Sequence, residues 1–87
     1  MADMTASPTR ALVVEDDELQ SFLVTEALGA VGFDEVRVAT TIVEALAALD
    51  DWGPHLVVLD LGLPDGDGLS VLQVLGHGGR RGIPTLV

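Results

Sequence analysis

Acidic side chains stand at two points of the chain where they could do chemistry together. Glu15-Asp16-Asp17 follows directly on the apolar run Ala11-Leu12-Val13-Val14, and Asp60 follows directly on Leu56-Val57-Val58-Leu59. In open α/β sheets, ligands bind beyond the carboxyl ends of the strands, at the point where strand order reverses. If these two runs are neighbouring strands flanking that point, Glu15, Asp16 and Asp60 meet in one crevice. Carboxylates within about 4–6 Å of one another repel, and the pKa of at least one rises. A cation relieves that repulsion. Oxygen ligands with no His or Cys nearby favour a hard ion, Mg2+ or Mn2+, that keeps several waters. The competing reading makes these acids helix caps and solvated strand ends. For Asp17 it is the better one, with Gln20 three residues on as in a capping box.

The elements that must position these acids are legible as units. Both four-residue runs are apolar throughout, as strands buried on two faces should be. Leu19, Phe22, Leu23, Ala27 and Ala30 follow the first at helical spacing, and Gly32 stops that helix. Val36 and Val38 alternate with Glu35 and Arg37, which predicts a half-exposed or edge strand. Thr41-Ile42-Val43-Glu44 is a capping box, and Ile42, Ala45, Leu46 and Leu49 continue it with a helical stripe. Gly53-Pro54 closes that helix, with Trp52 expected to cover its end. After Asp60 the spacing predicts a loop from Leu61 to Gly68, a short helix from Leu69 to Leu75, a Gly/Arg turn from Gly76 to Gly82 and a fourth strand from Ile83 to Val87. Residues 1–9 are expected to be a disordered leader. The alternation of strands and helices predicts right-handed crossovers and a parallel sheet covered on both faces.

Composition narrows the function further. The 87 residues carry 4 basic and 14 acidic side chains, a net charge of −10, and no cysteine. All the basic residues are arginines (Arg10, Arg37, Arg80, Arg81), and lysine is absent. A chain this acidic lacks the cationic stripe that displaces counterions from nucleic acid, so direct DNA or RNA binding is not expected. An anionic membrane surface is disfavoured for the same reason, and no apolar run reaches the roughly 18 residues of a membrane span. The absence of cysteine removes thiolate chemistry and Cys-ligated zinc. No secretory signal opens the chain, so the cytoplasm is the expected compartment. His55 and His77 have no Ser, Cys or second His at useful spacing and are read as structural or solvent-facing. Asp65-Gly66-Asp67-Gly68 lacks the later ligands of a calcium loop, and no Gly-rich loop follows the first strand to cradle a nucleotide.

Two segments resemble a known family. Leu12-Val13-Val14-Glu15-Asp16-Asp17 and Leu56-Val57-Val58-Leu59-Asp60-Leu61-Gly62-Leu63-Pro64-Asp65-Gly66-Asp67-Gly68 are similar to the signature segments of bacterial response-regulator receiver domains, from about Arg10 to Val87. The resemblance implies an α/β doubly wound parallel sheet of flavodoxin-like order 2-1-3-4, with residues 10–87 forming a receiver that lacks the last strand and helices. It implies that Asp60 accepts a phosphoryl group from a sensor histidine kinase or phosphotransfer protein. It also implies that Asp16 ligates Mg2+ directly, that Glu15 acts largely through water and that the Gly62 backbone carbonyl completes the metal site. Pro64 and Gly68 match positions that shape the loop. Such a module is a phosphoacceptor rather than an enzyme.

The chain departs from the family pattern in two respects. A complete receiver carries a hydroxyl residue ending strand four and a lysine ending strand five; this sequence has no lysine, and Thr85 lies too early in its strand to be that hydroxyl. An open sheet edge and a first helix short of a packing neighbour predict self-association. A second hypothesis follows: a truncated, non-signalling interaction module that oligomerises through its open sheet edge. A third, a metal-dependent phosphohydrolase, requires a second acid two residues after the nucleophile, where Gly62 stands.

Overall fold

The computed structural model describes residues 9–60, 62–63, 66–67, 71, 73 and 83–86. Strand β1 (Arg10–Val14) leads into helix α1 (Glu18–Ala30), followed by β2 (Glu35–Ala39), α2 (Ile42–Asp51) and β3 (Leu56–Leu59). Two short strands, β4 (Gly62–Leu63) and β5 (Gly66–Asp67), precede β6 (Thr85–Leu86). The main sheet is parallel, in the order β2-β1-β3-β6. The sequence's fourth strand is β6, so the expected order 2-1-3-4 is the one found.

Alternation along the strands divides the core in two. Leu12, Val14, Ala39, Val57 and Leu59 point to one face and pack with Ala45 and Leu49 of α2. Ala11 and Val13 point to the other face and meet Leu28 of α1, with Val24, Phe33, Val36, Leu56 and Val58 around them. Because β1 is buried on both faces, its apolar run is continuous. The starts of β1 and β3 are clamped by His55, whose Nδ1 accepts from the Arg10 backbone N–H at 3.0 Å while its own backbone N–H donates to the Arg10 carbonyl at 2.8 Å. At the same end the Thr9 N–H donates to Asp34 Oδ2 at 2.9 Å, and Arg10 pairs with Glu35 at 3.3 Å.

The caps are where their residue types place them. Asp17 Oδ1 accepts from the Gln20 N–H at 3.1 Å, and Thr41 Oγ1 accepts from the Glu44 N–H at 3.1 Å. The Glu44 carboxylate reaches back one residue further than the usual box, accepting from the Thr40 N–H at 2.8 Å. Gly32, with φ 110°, ends α1 in the left-handed region that glycine adopts without strain. Trp52 caps α2, packs on the core beneath it and lies under the Arg37 guanidinium, 4.7 Å from the ring centroid.

Two expectations need correction. The stripe Leu19, Phe22, Leu23, Ala27, Ala30 is not the face of α1 that meets the sheet. These residues are exposed, and Val24 and Leu28 turn inward instead. The Asp17 cap and the exit of β1 set the helix rotation, and the chain has apolar residues on both sides of α1. The loop after Asp60 is also more ordered than its Gly/Pro/Asp content implies, since Gly62 pairs with Asp67 and Leu63 with Gly66 in an antiparallel ribbon. Gly66, at φ 144°, supplies the backbone conformation that this ribbon requires. Val71 and Gln73 are helical, within the short helix expected there, whereas Pro64, Asp65, Gly68 and the 76–82 turn lie outside the described residues.

Leu12 is fully buried, whereas Val43 is 71% exposed. Leu12→Ala is therefore expected to lower unfolding free energy by about 2–5 kcal/mol. Val43→Ala should change it by less than about 0.5 kcal/mol. Urea denaturation of the two variants checks this.

Candidate metal centre

The register of the sheet brings the acids together. Val14 of β1 is level with Leu59 of β3, so the next residue on each strand, Glu15 and Asp60, emerges side by side at the carboxyl end. Backbone bonds hold both positions: the Asp60 N–H donates to the Val14 carbonyl, and the Glu15 N–H to the Ala39 carbonyl, each at 2.9 Å. Asp16 follows as the chain turns toward α1. One carboxylate oxygen from each of Glu15, Asp16 and Asp60 lies within 4.8 Å of the others. Glu15 and Asp60 are half-buried and Asp16 is exposed. Asp17 stands apart as the helix cap.

The electrostatics are those of converging carboxylates. Burial raises the Glu15 carboxyl above its ordinary 4.5, and a hydrogen bond with Asp60 and the charges of Asp60 and Asp16 push the same way. The Asp17 backbone N–H, donating to Glu15 Oε2 at 3.3 Å, opposes the rise. Both described arginines are engaged elsewhere, Arg10 with Glu35 and Arg37 over Trp52. Three converging oxygen donors with no nitrogen or sulfur ligand among them suit a small hard divalent ion. The donor set therefore fits Mg2+ or Mn2+.

Beside the acids runs an open groove of about 470 Å³ between α1 and β3, lined by Val13, Gln20, Val24 and Val58 and ending at Glu15 and Asp60. The sequence gives no sign that Gln20 and Val24 border the site, because their placement depends on the rotation of α1. Thr85 is level with Val57, short of Asp60, and its hydroxyl donates to the Ile83 carbonyl at 3.3 Å. The Gly62 backbone belongs to the ribbon that follows Asp60. Among the described residues, no helix is long and apolar enough to cross a membrane.

Known proteins share this fold. The family model for the response regulator receiver domain matches residues 11–87. The chain is 46% identical over 67 residues to the transcriptional regulatory protein TrcR of Mycobacterium tuberculosis, a match covering 77% of this chain and 26% of that protein. Among solved structures, MaeR response regulator bound to beryllium trifluoride superposes with a TM-score of 0.79 at 31% identity, over 91% of this chain and 64% of that one. The phosphorylated cyanobacterial phytochrome response regulator RcpA gives a TM-score of 0.77 at 31% identity, over 91% of this chain and 63% of that one. The chain thus spans about a quarter of TrcR and under two thirds of these solved chains.

The raised Glu15 value carries a sign. The folded protein holds this proton more tightly than the unfolded chain does. The resulting stabilisation is complete below the ordinary 4.5 and is lost as pH rises through the higher folded value. In metal-free buffer, the urea midpoint of the wild type should fall relative to Glu15→Gln as pH climbs from below 4.5 toward neutrality. Parallel curves across that range would contradict the assignment.

Proposed function

The chain belongs to the response-regulator receiver family of two-component signalling, and from that premise we propose that Asp60 is the residue that accepts the phosphoryl group. The observation that carries this reading is the meeting of Glu15, Asp16 and Asp60 within 4.8 Å at the end of two buried strands. Asp60 is held at its backbone by the Val14 carbonyl and its side chain is half-buried at the rim of the sheet, which supports this role.

The donor is a phosphorylated histidine on a sensor kinase or phosphotransfer protein. In the transfer, an Asp60 oxygen forms a bond to phosphorus as the nitrogen–phosphorus bond of the donor breaks. The electron pair returns to the imidazole nitrogen, which takes a proton, and Asp60 becomes a mixed anhydride. An anion cannot approach another anion closely without compensation, and Asp16, Asp60 and the Gly62 carbonyl, with Glu15 through water, would hold the ion that supplies it. Bound there, Mg2+ contributes Lewis-acid neutralisation of the phosphoryl oxygens, an effect worth several kcal/mol. Glu15 and Asp16 position and charge the site, while Asp60 alone changes its covalent bonding.

We place this exchange in the cytoplasm and assign the segment no nucleic-acid contact, given its net charge of −10. The alternative, an interaction module without phosphoacceptance, keeps the fold and loses the chemistry. Incubating the protein with acetyl phosphate and Mg2+ separates the two. The expected result is a mass increase of one phosphoryl group in the wild type, none in Asp60→Asn, and a yield in Asp16→Asn restored only by raised Mg2+. An unmodified wild type, or modification that persists in Asp60→Asn, overturns the proposal.

A further inference from the structure

Strand β2 is a sheet edge that its own sequence does little to blunt. It pairs with β1 in unbroken register from Glu35 to Ala39, with no bulge and no proline. The Glu35 N–H donates to the Thr9 carbonyl at 3.0 Å, and the Ala39 carbonyl accepts from the Glu15 N–H at 2.9 Å. Glu35, Arg37 and Ala39 therefore turn their backbone groups toward β1, and Val36 and Val38 turn theirs to the open side. Edges are commonly guarded by charged side chains. Here both are drawn back within the chain, Glu35 to Arg10 at 3.3 Å and Arg37 over Trp52, 4.7 Å from the ring centroid. Val38 is left 42% exposed, and no strand among the described residues pairs with this edge.

Beside the edge lies an open groove of about 320 Å³ between β2 and α2. Its helical wall is Glu44, Ala47, Ala48 and Asp51, at i, i+3, i+4 and i+7 on one face of α2. The two alanines form a shallow aliphatic floor. The acids close its ends, about 10 Å apart along the helix axis. Both bonds from Thr40 to Glu44 fall on Oε1, so Oε2 remains for a cation. Arg37 borders the groove as well, but its single charge rests on the Trp52 ring and faces two carboxylates. The other side of α2 is already occupied, since Leu46 packs on the core and Ile42 lies against Gly66.

This wall selects the occupant by charge. A strand laid against β2 presents every second side chain to the groove, at a spacing of about 6.6–6.8 Å. A lysine or arginine there lays its methylene stem on Ala47 and Ala48 and carries its charge to Glu44 or Asp51. An acidic strand meets like charge. A second copy of the chain brings a net charge of −10 to the same rim, and residues 1–8 hold Asp3 and no base.

We infer that the β2 edge and the adjoining α2 groove bind an extended basic peptide segment, added as a new edge strand with lysine or arginine at alternate positions. Main-chain bonds to Val36 and Val38 supply the affinity, and the groove supplies the preference for a cationic side chain. The inference does not rest on phosphoacceptance by Asp60.

Amide hydrogen exchange and chemical-shift titration of the full chain with an acetylated, amidated hexapeptide of alternating lysine and valine test it. Expected are saturable shifts along β2, slowed exchange of the Val36 and Val38 amides, and weaker binding at raised salt. Val38→Pro removes an outward donor at a position where an edge strand accepts proline, and Ala47→Arg fills the groove with a cation. Each should raise the dissociation constant at least about tenfold, with circular dichroism unchanged. The same peptide N-methylated at alternate residues should fail to bind the wild type. Absence of protection at Val36 and Val38, or shifts centred on Glu15, Asp16 and Asp60 instead, overturns the inference. So does equal binding by the N-methylated peptide, or protection of β2 that grows with protein concentration alone, which would make the occupant a second copy.

Discussion

The parallel pairing of β1 with β3 is the constraint on which the site depends. Register alone decides which residues leave the two strands together, and a slip of one position would turn Glu15 or Asp60 to the other face of the sheet. That slip is opposed from both sides, since Val14 and Leu59 are buried against α2 while Val13 and Val58 lie against α1. The carboxylates are thus held close by the apolar residues behind them. Holding them there is a cost imposed by the fold: burial first, and then the hydrogen bond and charge of Asp60 and the charge of Asp16, raise the Glu15 carboxyl above its usual range.

The rest of the molecule divides into a clamped pole and an open one. At the start of the strands, Thr9, Arg10, Asp34 and His55 tie β1 to its neighbours through backbone and side-chain bonds. At the finish, the chain turns away into helix caps and the Gly62–Asp67 ribbon, leaving acids and a groove facing solvent. Small domains bury a modest share of their surface, and here the shortfall is uneven. Among the described residues, the α2 side is well filled, whereas the α1 side leaves Val58 half-buried and Leu19, Phe22 and Leu23 exposed.

Much of this was legible in the residues. Continuous apolar runs marked the two central strands, of which β1 is buried on both faces while β3 is buried on one and half-buried on the other, alternation marked β2 as an edge, and Asp17 and Thr41 marked their helix starts. The acids stood out because each broke an apolar run abruptly. Two features were hidden for physical reasons. The rotation of α1 could not be read because apolar residues occupy both of its sides, so spacing alone did not say which stripe faces inward. The ribbon after Asp60 was hidden because glycine, proline and aspartate mark turns without revealing that the flanking residues pair. Gln20 and Val24 went unnoticed beside the site as a consequence of the first.

Convergence of Glu15, Asp16 and Asp60 on one divalent ion is the claim that everything functional rests on. Titration with substoichiometric Mn2+, followed by paramagnetic broadening of backbone amide resonances, reads it directly. Broadening confined first to Glu15, Asp16 and Asp60, with Arg10 and His55 at the far pole still sharp, is the predicted result. Broadening spread equally over other acidic positions such as Glu35, Asp50 and Asp51 would show that these three acids form no common site.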